Sequence, residues 1–381
     1  MSRTPAEPPV PGIAQRRETR QIALVLQGGG ALGSYQAGVY AALAGAGYDP
    51  DWVAGISIGA INAALIAGNA PADRVAKLRS FWDQVSAPTA AWPDLPFAPW
   101  QQAVRQGGAL AALLFGQPGF FRPNLLESWR TGQPPTSFYD TAGLRATLER
   151  LVDFDRINAG PVRLSVGAVN VRTGNFAYFD TATQKIGPDH IMASGALPPG
   201  FPAVEIEGER YWDGGLVSNT PLQYVLDAVP RHSTLTFQVD LFPARGALPG
   251  DMEAVEERRK DITYSSRTRM GVESFRAMHT VRRHISRLLA RLPEGFEGGP
   301  DVEALRAVAC QTRMDIVELI YRSHDFQGAQ KDIEFARATM LERWQQGQSD
   351  ARAALDAEPW LEPAPPEVAV RTFDVLRPPG G

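Results

Sequence analysis

The largely apolar, β-branched run over 21–27 stops at three consecutive glycines, and this arrangement restricts the fold more than any other feature of the chain. Such a short run predicts a strand buried inside a sheet. Helical spacing follows over 34–46, and a second unit adds a strand at 52–56 and an apolar helix at 58–67. Two successive strand–loop–helix units predict a parallel sheet covered by helices on both faces.

Composition suggests how the rest of the chain is organised. A polar, Pro-rich segment at 1–20 predicts disorder, and we expect the main domain to span 21–243. Within that domain, 93–126 is rich in Pro, Gly and apolar residues and predicts a cap or lid. Charged, helix-periodic sequence predicts a helical extension over 250–357, and the remainder, 358–381, is a Pro-rich tail with a candidate edge strand.

Overall composition excludes several functional classes. The 381 residues carry a net charge of −4, which gives no reason to expect nucleic acid as a partner. The single cysteine allows no internal disulfide and no Cys-rich metal site. No apolar run has the length that spans a bilayer, and the N-terminal segment lacks the apolar core of a secretory signal. We therefore expect a cytoplasmic protein.

Ser57 stands in the pattern Gly55-Ile-Ser57-Ile-Gly59, between the second predicted strand and its helix. A strand-to-helix elbow of this kind exposes a serine hydroxyl in a tight turn, where larger flanking side chains would collide with backbone. The helix that follows offers free N–H groups to an oxyanion. The pattern predicts a nucleophilic serine, and the alternative is a glycine-lined turn without chemistry.

The glycine-rich loop Gly28-Gly29-Gly30-Ala-Leu-Gly33 has two readings. It satisfies the spacing of a dinucleotide-binding loop, so a nucleotide-binding protein is one alternative. However, the nearby acidic residues, Asp49 and Asp51, precede the second strand and belong to the wrong edge of the sheet. Bare glycines beside a nucleophile also supply unhindered N–H donors, as an oxyanion hole requires.

Asp213 closes a predicted strand and is followed by Gly214 and Gly215. An Asp-Gly pair alone is usually a turn, but these glycines would let the carboxylate approach a serine hydroxyl closely. An Asn-Thr-Pro sequence at 219–221 follows, and the segment at 193–202 precedes it.

Together these ordered motifs resemble the patatin-like phospholipase family over about 21–243. The resemblance implies a three-layer α/β/α sandwich with a mainly parallel sheet, and a carboxylic ester hydrolase that cleaves acyl esters of lipids. It implies Ser57 as nucleophile, Asp213 as base, and the amides of Gly28, Gly29 and Gly30 as the oxyanion hole. No metal and no cofactor are implied.

Two positions depart from the family pattern. Gln27 replaces the Asp or Gly of many members, which we expect to change little, and Leu32 replaces an Arg or Lys within the glycine-rich loop. The chain from about 250 onward resembles a helical extension found on one bacterial branch of the family.

The histidines offer a rival mechanism. An α/β-hydrolase triad runs Ser, Asp, His in chain order, and His232 has the right position for its third member. That fold, however, normally places several strands before its elbow, whereas here one precedes it. The other histidines are His190, His279, His284 and His324, and none lies at metal-ligand spacing from acidic residues.

Two segments are candidates for peripheral membrane contact. The 93–126 segment is dense in Leu and Phe, including Phe120 and Phe121, and forms either an interfacial patch or a cap packed on the core. Residues 272–292 alternate apolar and Arg positions at helical spacing, which predicts a basic amphipathic helix that lies on anionic lipid or packs on the main domain.

Overall fold

A computed structural model describes residues 20–87, 116–124, 134–265, 268–293, 296, 298–322, 331–365 and 367–376. Its strands are β1 (Gln21–Leu26), β2 (Trp52–Ile56), β3 (Arg122–Pro123), β4 (Tyr139–Asp140), β5 (Arg163–Asn170), β6 (Phe176–Asp180), β7 (Val204–Ile206), β8 (Glu209–Asp213), β9 (Thr234–Asp240), β10 (Met314–Ile320) and β11 (Val370–Phe373). Its helices are α1 (Gly33–Gly45), α2 (Ile58–Ala67), α3 (Pro71–Val85), α4 (Ala142–Leu151), α5 (Phe154–Ala159), α6 (Pro188–Ser194), α7 (Leu222–Leu226), α8 (Met252–Ser265), α9 (Thr268–Leu289), α10 (Gly299–Val308) and α11 (Arg337–Ala357).

One sheet runs through the described chain in the order β11-β10-β9-β1-β2-β5-β8-β7, and β6 also pairs with β5. From β11 to β5 all neighbouring strands are parallel, while β6, β7 and β8 pair in antiparallel fashion. Strands β5 and β6 form one antiparallel hairpin, and β7 and β8 form a second. The candidate strand in the tail is β11, and it lies at the edge of the sheet as predicted.

The alternation of side chains along β1 explains why helices cover both faces. Leu24 and Leu26 point into the larger hydrophobic core, whereas Ala23 and Val25 point into a second core on the opposite face. Residues of α1, α2, α3 and α11 build the first core, and residues of α7 and α9 contribute to the second. The predicted three-layer α/β/α sandwich with a mainly parallel sheet is confirmed.

The C-terminal part of the chain joins the same sandwich. The helices predicted over 250–357 are present as α8 to α11, but this stretch also contains β10, which pairs with β9 along seven residues. Its sequence, Met-Asp-Ile-Val-Glu-Leu-Ile, places Ile316, Val317 and Leu319 in the interior. Apolar β-branched residues on both faces are typical of a strand inside a parallel sheet, so the purely helical interpretation was wrong at 314–320.

Helix α11 packs directly on α1, which is buried around most of its circumference. The two backbones approach closely at glycines. A Cβ atom at Gly38 would lie 2.0 Å from the Trp344 carbonyl oxygen, and one at Gly347 would lie 2.1 Å from the Tyr35 carbonyl oxygen. Both glycines are therefore needed for the two helices to reach this separation.

We expect Gly38→Ala to lower the thermal unfolding midpoint, because α1 and α11 must separate to admit the methyl group. Overpacking of this kind costs roughly 1–3 kcal/mol. Gly45→Ala is the matched control, because a Cβ atom there meets nothing within 4 Å. The control should leave the midpoint unchanged or slightly higher. Equal midpoints for the two variants, measured by circular dichroism, would contradict the packing described.

Candidate active site

Ser57 follows β2 immediately and precedes the first residue of α2. Its backbone has φ 55° and ψ −124°, a strained conformation for a residue with a side chain. Its amide donates to the carbonyl oxygen and the Oγ of Ser194, at 3.1 and 3.0 Å. Ser194 is buried, and its hydroxyl donates in turn to the Gly167 carbonyl oxygen at 2.7 Å. Strand β5, through Gly167, and helix α6, through Ser194, thus fix the position of the Ser57 backbone.

The two glycines that flank Ser57 pack against neighbouring backbone. A Cβ atom at Gly55 would lie 2.3 Å from the Gly59 carbonyl oxygen, and one at Gly59 would lie 2.3 Å from the Leu26 carbonyl oxygen. The elbow can therefore cross the end of β1 only because both positions lack a side chain. The steric argument made from the sequence pattern holds at both of these sites.

Asp213 ends β8 and is almost completely buried, with 1% of its surface exposed. Its Oδ1 accepts a hydrogen bond from the Gly215 amide at 2.7 Å. Burial raises the pKa of Asp213 from 3.8 to about 7, although the Ser57 side chain and the Gly215 amide both favour the ionised form. Gly214 packs tightly too, since its Cβ would lie 2.7 Å from the Gly167 carbonyl oxygen.

The glycine-rich loop lies beside this pair. A Cβ atom at Gly28 would come within 3.1 Å of Ser57 Cβ and within 2.3 Å of Asn219 Oδ1. The Gly28 amide donates to the Asn219 carbonyl oxygen at 3.1 Å, and Asn219 Nδ2 donates to the Gly28 carbonyl oxygen at 3.0 Å. Within the described chain, the amides of Gly29 and Gly30 have no such hydrogen bond. Those two N–H groups are the ones available to a ligand.

Three positions of the glycine-rich loop are closely packed against neighbouring residues. Gly33 begins α1, and a Cβ atom there would lie 2.6 Å from Ile58 Cγ1, so α1 and α2 start in close contact. Leu32, which replaces a basic residue of the family pattern, is fully buried in the larger core. Gly30 has φ 54°, and a Cβ atom there would lie 2.2 Å from the Asp332 carbonyl oxygen.

Gln27 has a larger role than the sequence suggested. Its side chain is fully buried, and it donates to Thr220 Oγ1 at 2.8 Å and to the Tyr264 carbonyl oxygen at 3.2 Å. Its Oε1 accepts from the amides of Leu241 and Phe242 at 2.6 and 2.9 Å. This amide therefore joins β1, the end of β9, the Asp213 loop and α8, a role that the sequence did not indicate, while the expectation that this departure from the family pattern changes little stays a prediction.

Ser57 and Asp213 open into a cavity of about 340 Å³. The glycine-rich loop forms one side, and aromatic rings, several of them with centroids 4.9–6.3 Å apart, form much of the rest. The aromatic lining residues are Phe120, Phe121, Phe138, Tyr139, Phe201, Phe242, Tyr264 and Phe335. Such an enclosure suits an apolar group bound next to a few polar atoms.

Part of this wall comes from C-terminal residues that the sequence analysis did not identify. Asp332, Ile333 and Phe335 line the cavity, and Lys331 next to them is buried against Asp261 at 2.7 Å. Lys260 of α8 also pairs with Asp332 at 2.6 Å. These residues lie in charged sequence without a recognisable motif, so only the spatial arrangement reveals them.

The 93–126 segment is described only over 116–124. There, Phe120 and Phe121 are buried at 7% and 8% exposure and line the cavity. The described part therefore packs inward, as in the cap interpretation, while 93–115 and 125–126 lie outside the described residues.

The described histidines stand away from the cavity. His232 precedes β9, at the opposite edge of the sheet from Ser57, and a seven-residue strand spans about 20 Å. His190 packs against Phe179, and its pKa is lowered by burial. His279 contacts the Thr312 carbonyl oxygen at 2.9 Å and also has a pKa lowered by burial. His284 does not line the cavity, and His324 lies outside the described residues.

The nucleotide alternative finds little support in this geometry. The glycine-rich loop faces aromatic rings and the buried Asp213 carboxyl group rather than an open crevice for a pyrophosphate. The residues described include no cluster of three His, Cys, Asp or Glu side chains that could hold a metal ion. Among the described helices, none combines the length and hydrophobicity needed to cross a bilayer.

Comparison with known families matches this geometry. The model of the patatin-like phospholipase family matches residues 24–226, which is more than half of the chain. The chain belongs to the patatin-like phospholipase family. A second model, described as patatin phospholipase, matches residues 262–367, the part that supplies β10 and the wall at 331–335. Membership of this family identifies the protein as a lipid hydrolase. No curated protein sequence matches the chain.

Two solved structures resemble this member of the patatin-like family at low identity. VipD from Legionella pneumophila is 14% identical with a TM-score of 0.40, and the comparison covers 89% of this chain and 67% of that one. Human GIVD cytosolic phospholipase A2 is 12% identical with a TM-score of 0.34, covering 89% of this chain and 60% of that one. Scores this low carry no further argument.

The pKa of Asp213 predicts how stability depends on pH. An unfolded aspartate ionises near its ordinary pKa, whereas the buried group holds its proton up to about pH 7. Ionisation therefore costs folding stability increasingly between about pH 4 and pH 7, and the full cost remains above that range. Asp213→Asn keeps an acceptor for the Gly215 amide and removes this cost.

We expect Asp213→Asn to unfold at a higher temperature than the wild type at about pH 8, and the difference to disappear toward pH 4. Asp240, whose pKa burial also raises to about 7, titrates in both proteins and cancels in the comparison. Thermal unfolding at several pH values measures the difference. A difference that is independent of pH would contradict the raised pKa.

Proposed function

We propose that this chain is a serine acyl-ester hydrolase acting on lipid esters, with Ser57 as nucleophile and Asp213 as its base. The observation that supports it best is that Ser57 and Asp213 line the same cavity, where Ser57 favours the ionised form of a buried carboxyl group whose pKa is about 7. A base is most effective when its pKa lies near the working pH, and an ordinary aspartate is far too acidic for that task. The apolar cavity beside the pair is suited to an acyl chain.

The reaction would proceed in two halves. Ionised Asp213 takes the proton of Ser57 while Oγ attacks the ester carbonyl carbon. Collapse of the tetrahedral intermediate breaks the bond to the alcohol oxygen, which takes the proton from Asp213, and leaves an acyl group on Ser57. Water then attacks this acyl group as Asp213 takes its proton. The proton returns to Ser57 as the carboxylic acid departs.

The oxyanion would be held by backbone amides. Of the three expected glycines, Gly28 already donates its amide to Asn219. We therefore assign the donors to Gly29 and Gly30, while Gly28 provides the close approach to Ser57. The first amides of α2 and its helix dipole add to the positive potential at this point.

We expect Ser57→Ala and Asp213→Asn each to lower kcat for a short p-nitrophenyl ester by about 10³-fold or more, because residues that act as a unit lose activity together. Replacement of each histidine by Gln should leave most of the activity. A fluorophosphonate should label wild-type Ser57 and should not label Ser57→Ala. A single histidine variant that matches the loss of Ser57→Ala, with an unchanged unfolding midpoint, would replace the dyad by a triad.

We also propose that α9 makes peripheral contact with anionic lipid. Val272 and Phe275 near its start are buried against α7, but Met278, Val281 and Leu288 are 52%, 51% and 62% exposed. Arginines lie along the same helix at positions 276, 282, 283 and 287, of which Arg276 and Arg283 also hydrogen-bond to Thr372 and to the Val368 carbonyl oxygen. Apolar area together with positive charge is what binds a helix to an anionic interface.

The combined change Met278→Ser, Val281→Ser and Leu288→Ser should weaken sedimentation with phosphatidylglycerol vesicles at least several-fold, because it removes apolar area and leaves the charge. The control is Val229→Ser with Leu248→Ser, which removes exposed apolar residues elsewhere. Wild-type binding that is equal for anionic and phosphatidylcholine vesicles, or equal losses in both variants, would contradict this role of α9.

A further inference from the structure

A second cavity, of about 460 Å³, adjoins the first at the Asp213 loop. The two cavities share three lining residues, Gly215, Asn219 and Tyr264. Gly215 donates its amide to Asp213, and Asn219 is hydrogen-bonded to Gly28. The cavities therefore meet where the proposed base and the glycine-rich loop meet.

The lining of the two cavities differs in chemical character. The first is enclosed mainly by aromatic rings. The second has a mixed lining, in which the apolar residues Leu216, Val217 and Leu222 are accompanied by hydroxyl and amide side chains, namely Ser218, Asn219, Thr220, Gln223, Thr263 and Tyr264. An ester also has two unlike sides, an acyl group and an alcohol. Hydroxyl and amide groups can both donate to and accept from the hydroxyls of an alcohol.

Tyr264 occupies the boundary between the cavities. It lies on α8, and its ring centroid is 5.0 Å from that of Phe242. Its carbonyl oxygen accepts a hydrogen bond from the Gln27 side chain. Burial raises the pKa of Tyr264, and the nearby carboxylates of Asp332 and Asp213 add to this shift. The phenol therefore stays protonated close to the proposed base. Its hydroxyl donates no hydrogen bond to any part of the chain that the structure describes.

We propose that the second cavity receives the alcohol part of a single-chain ester, that this alcohol carries free hydroxyl groups as a glycerol unit does, and that the Tyr264 hydroxyl positions it. This inference rests on the proposed function and narrows its substrate class. A single acyl chain fits because the aromatic cavity, at about 340 Å³, is at the small end of ligand pockets. Monoacylglycerols and lysophospholipids share this chemistry.

The test compares octanoyl esters of one acid with different alcohols: 1-octanoylglycerol, 1-octanoyl-glycerophosphocholine and ethyl octanoate. At least one glycerol-based ester should have a higher kcat/KM than the ethyl ester, and the faster of the two identifies the natural source of the glycerol unit. Tyr264→Phe should lower this glycerol-to-ethyl ratio by about 3- to 10-fold, the worth of one hydrogen bond. The change should appear mainly in KM for the glycerol ester.

Two matched variants test whether the effect on the glycerol-to-ethyl ratio is specific to the Tyr264 hydroxyl. Tyr211→Phe makes the same substitution at a ring that packs on Phe179 outside both cavities, and it should keep the wild-type ratio. Phe335→Ala enlarges the acyl cavity and should shift the preferred chain length while keeping the ratio. A wild-type preference for the ethyl ester, or an unchanged ratio in Tyr264→Phe, would overturn the inference.

The outcomes also distinguish this inference from the function it rests on. If all three esters are hydrolysed at similar rates and a fluorophosphonate labels Ser57, the enzyme is an esterase without an alcohol site of this kind. If none is hydrolysed and Ser57 resists labelling, the proposed function itself fails.

Discussion

The buried side-chain amide of Gln27 is the interaction on which the arrangement of this site depends. It satisfies four backbone or side-chain partners, on the end of β9, on the Asp213 loop and on α8. A buried amide with unpaired donors or acceptors lowers the stability of the fold. Loss of one of these partners would therefore weaken the positions of the others. The first strand, the loop after Asp213 and the C-terminal region are thereby held in one geometry, with the cavity between them.

Close contacts at three glycines also fix the position of the elbow and of the glycine-rich loop. Gly59 contacts the end of β1, Gly28 contacts Asn219, and Gly30 contacts the carbonyl of Asp332. Each contact removes one direction in which the elbow or the glycine-rich loop could move. The strained φ of Ser57 can persist because neighbours on both sides of the turn determine it. Rigid support of this kind is what the proposed nucleophile would need to stay aligned with Asp213.

The elements near the motifs could be predicted from sequence because their signals are local. Short apolar runs predicted β1 and β2, and the apolar helical segment after β2 predicted α2. Strand β10 was missed because its Asp315 and Glu318 interrupt the apolar run within charged surroundings. Asp315 is nevertheless buried and paired with Arg371. A local sequence pattern cannot predict a partner that lies so far along the chain.

The residues of the candidate site likewise include some that local sequence patterns predict and others that they do not. The positions of Ser57, Asp213 and the glycines followed from short patterns whose steric requirements are local. Gln27, Asn219 and the wall at 331–335 did not, because their importance lies in contacts between segments far apart in sequence. Asn219, for example, precedes α7, but its side chain donates to the Gly28 carbonyl oxygen, and that helix starts after Pro221 without a side-chain cap.

The proposed role of Asp213 as a carboxyl base without histidine would place an unusual demand on the fold. Aspartate is a weak base in water, and here removal from solvent brings the pKa of Asp213 to about 7. The same burial makes the ionised form costly, and Ser57 and the Gly215 amide keep the pKa from rising further. A base of this kind would have to be buried enough to accept a proton and stabilised enough as an anion to release it to the alcohol. The apolar cavity would serve both needs, because it keeps Asp213 from water and would offer an acyl chain a place beside Ser57.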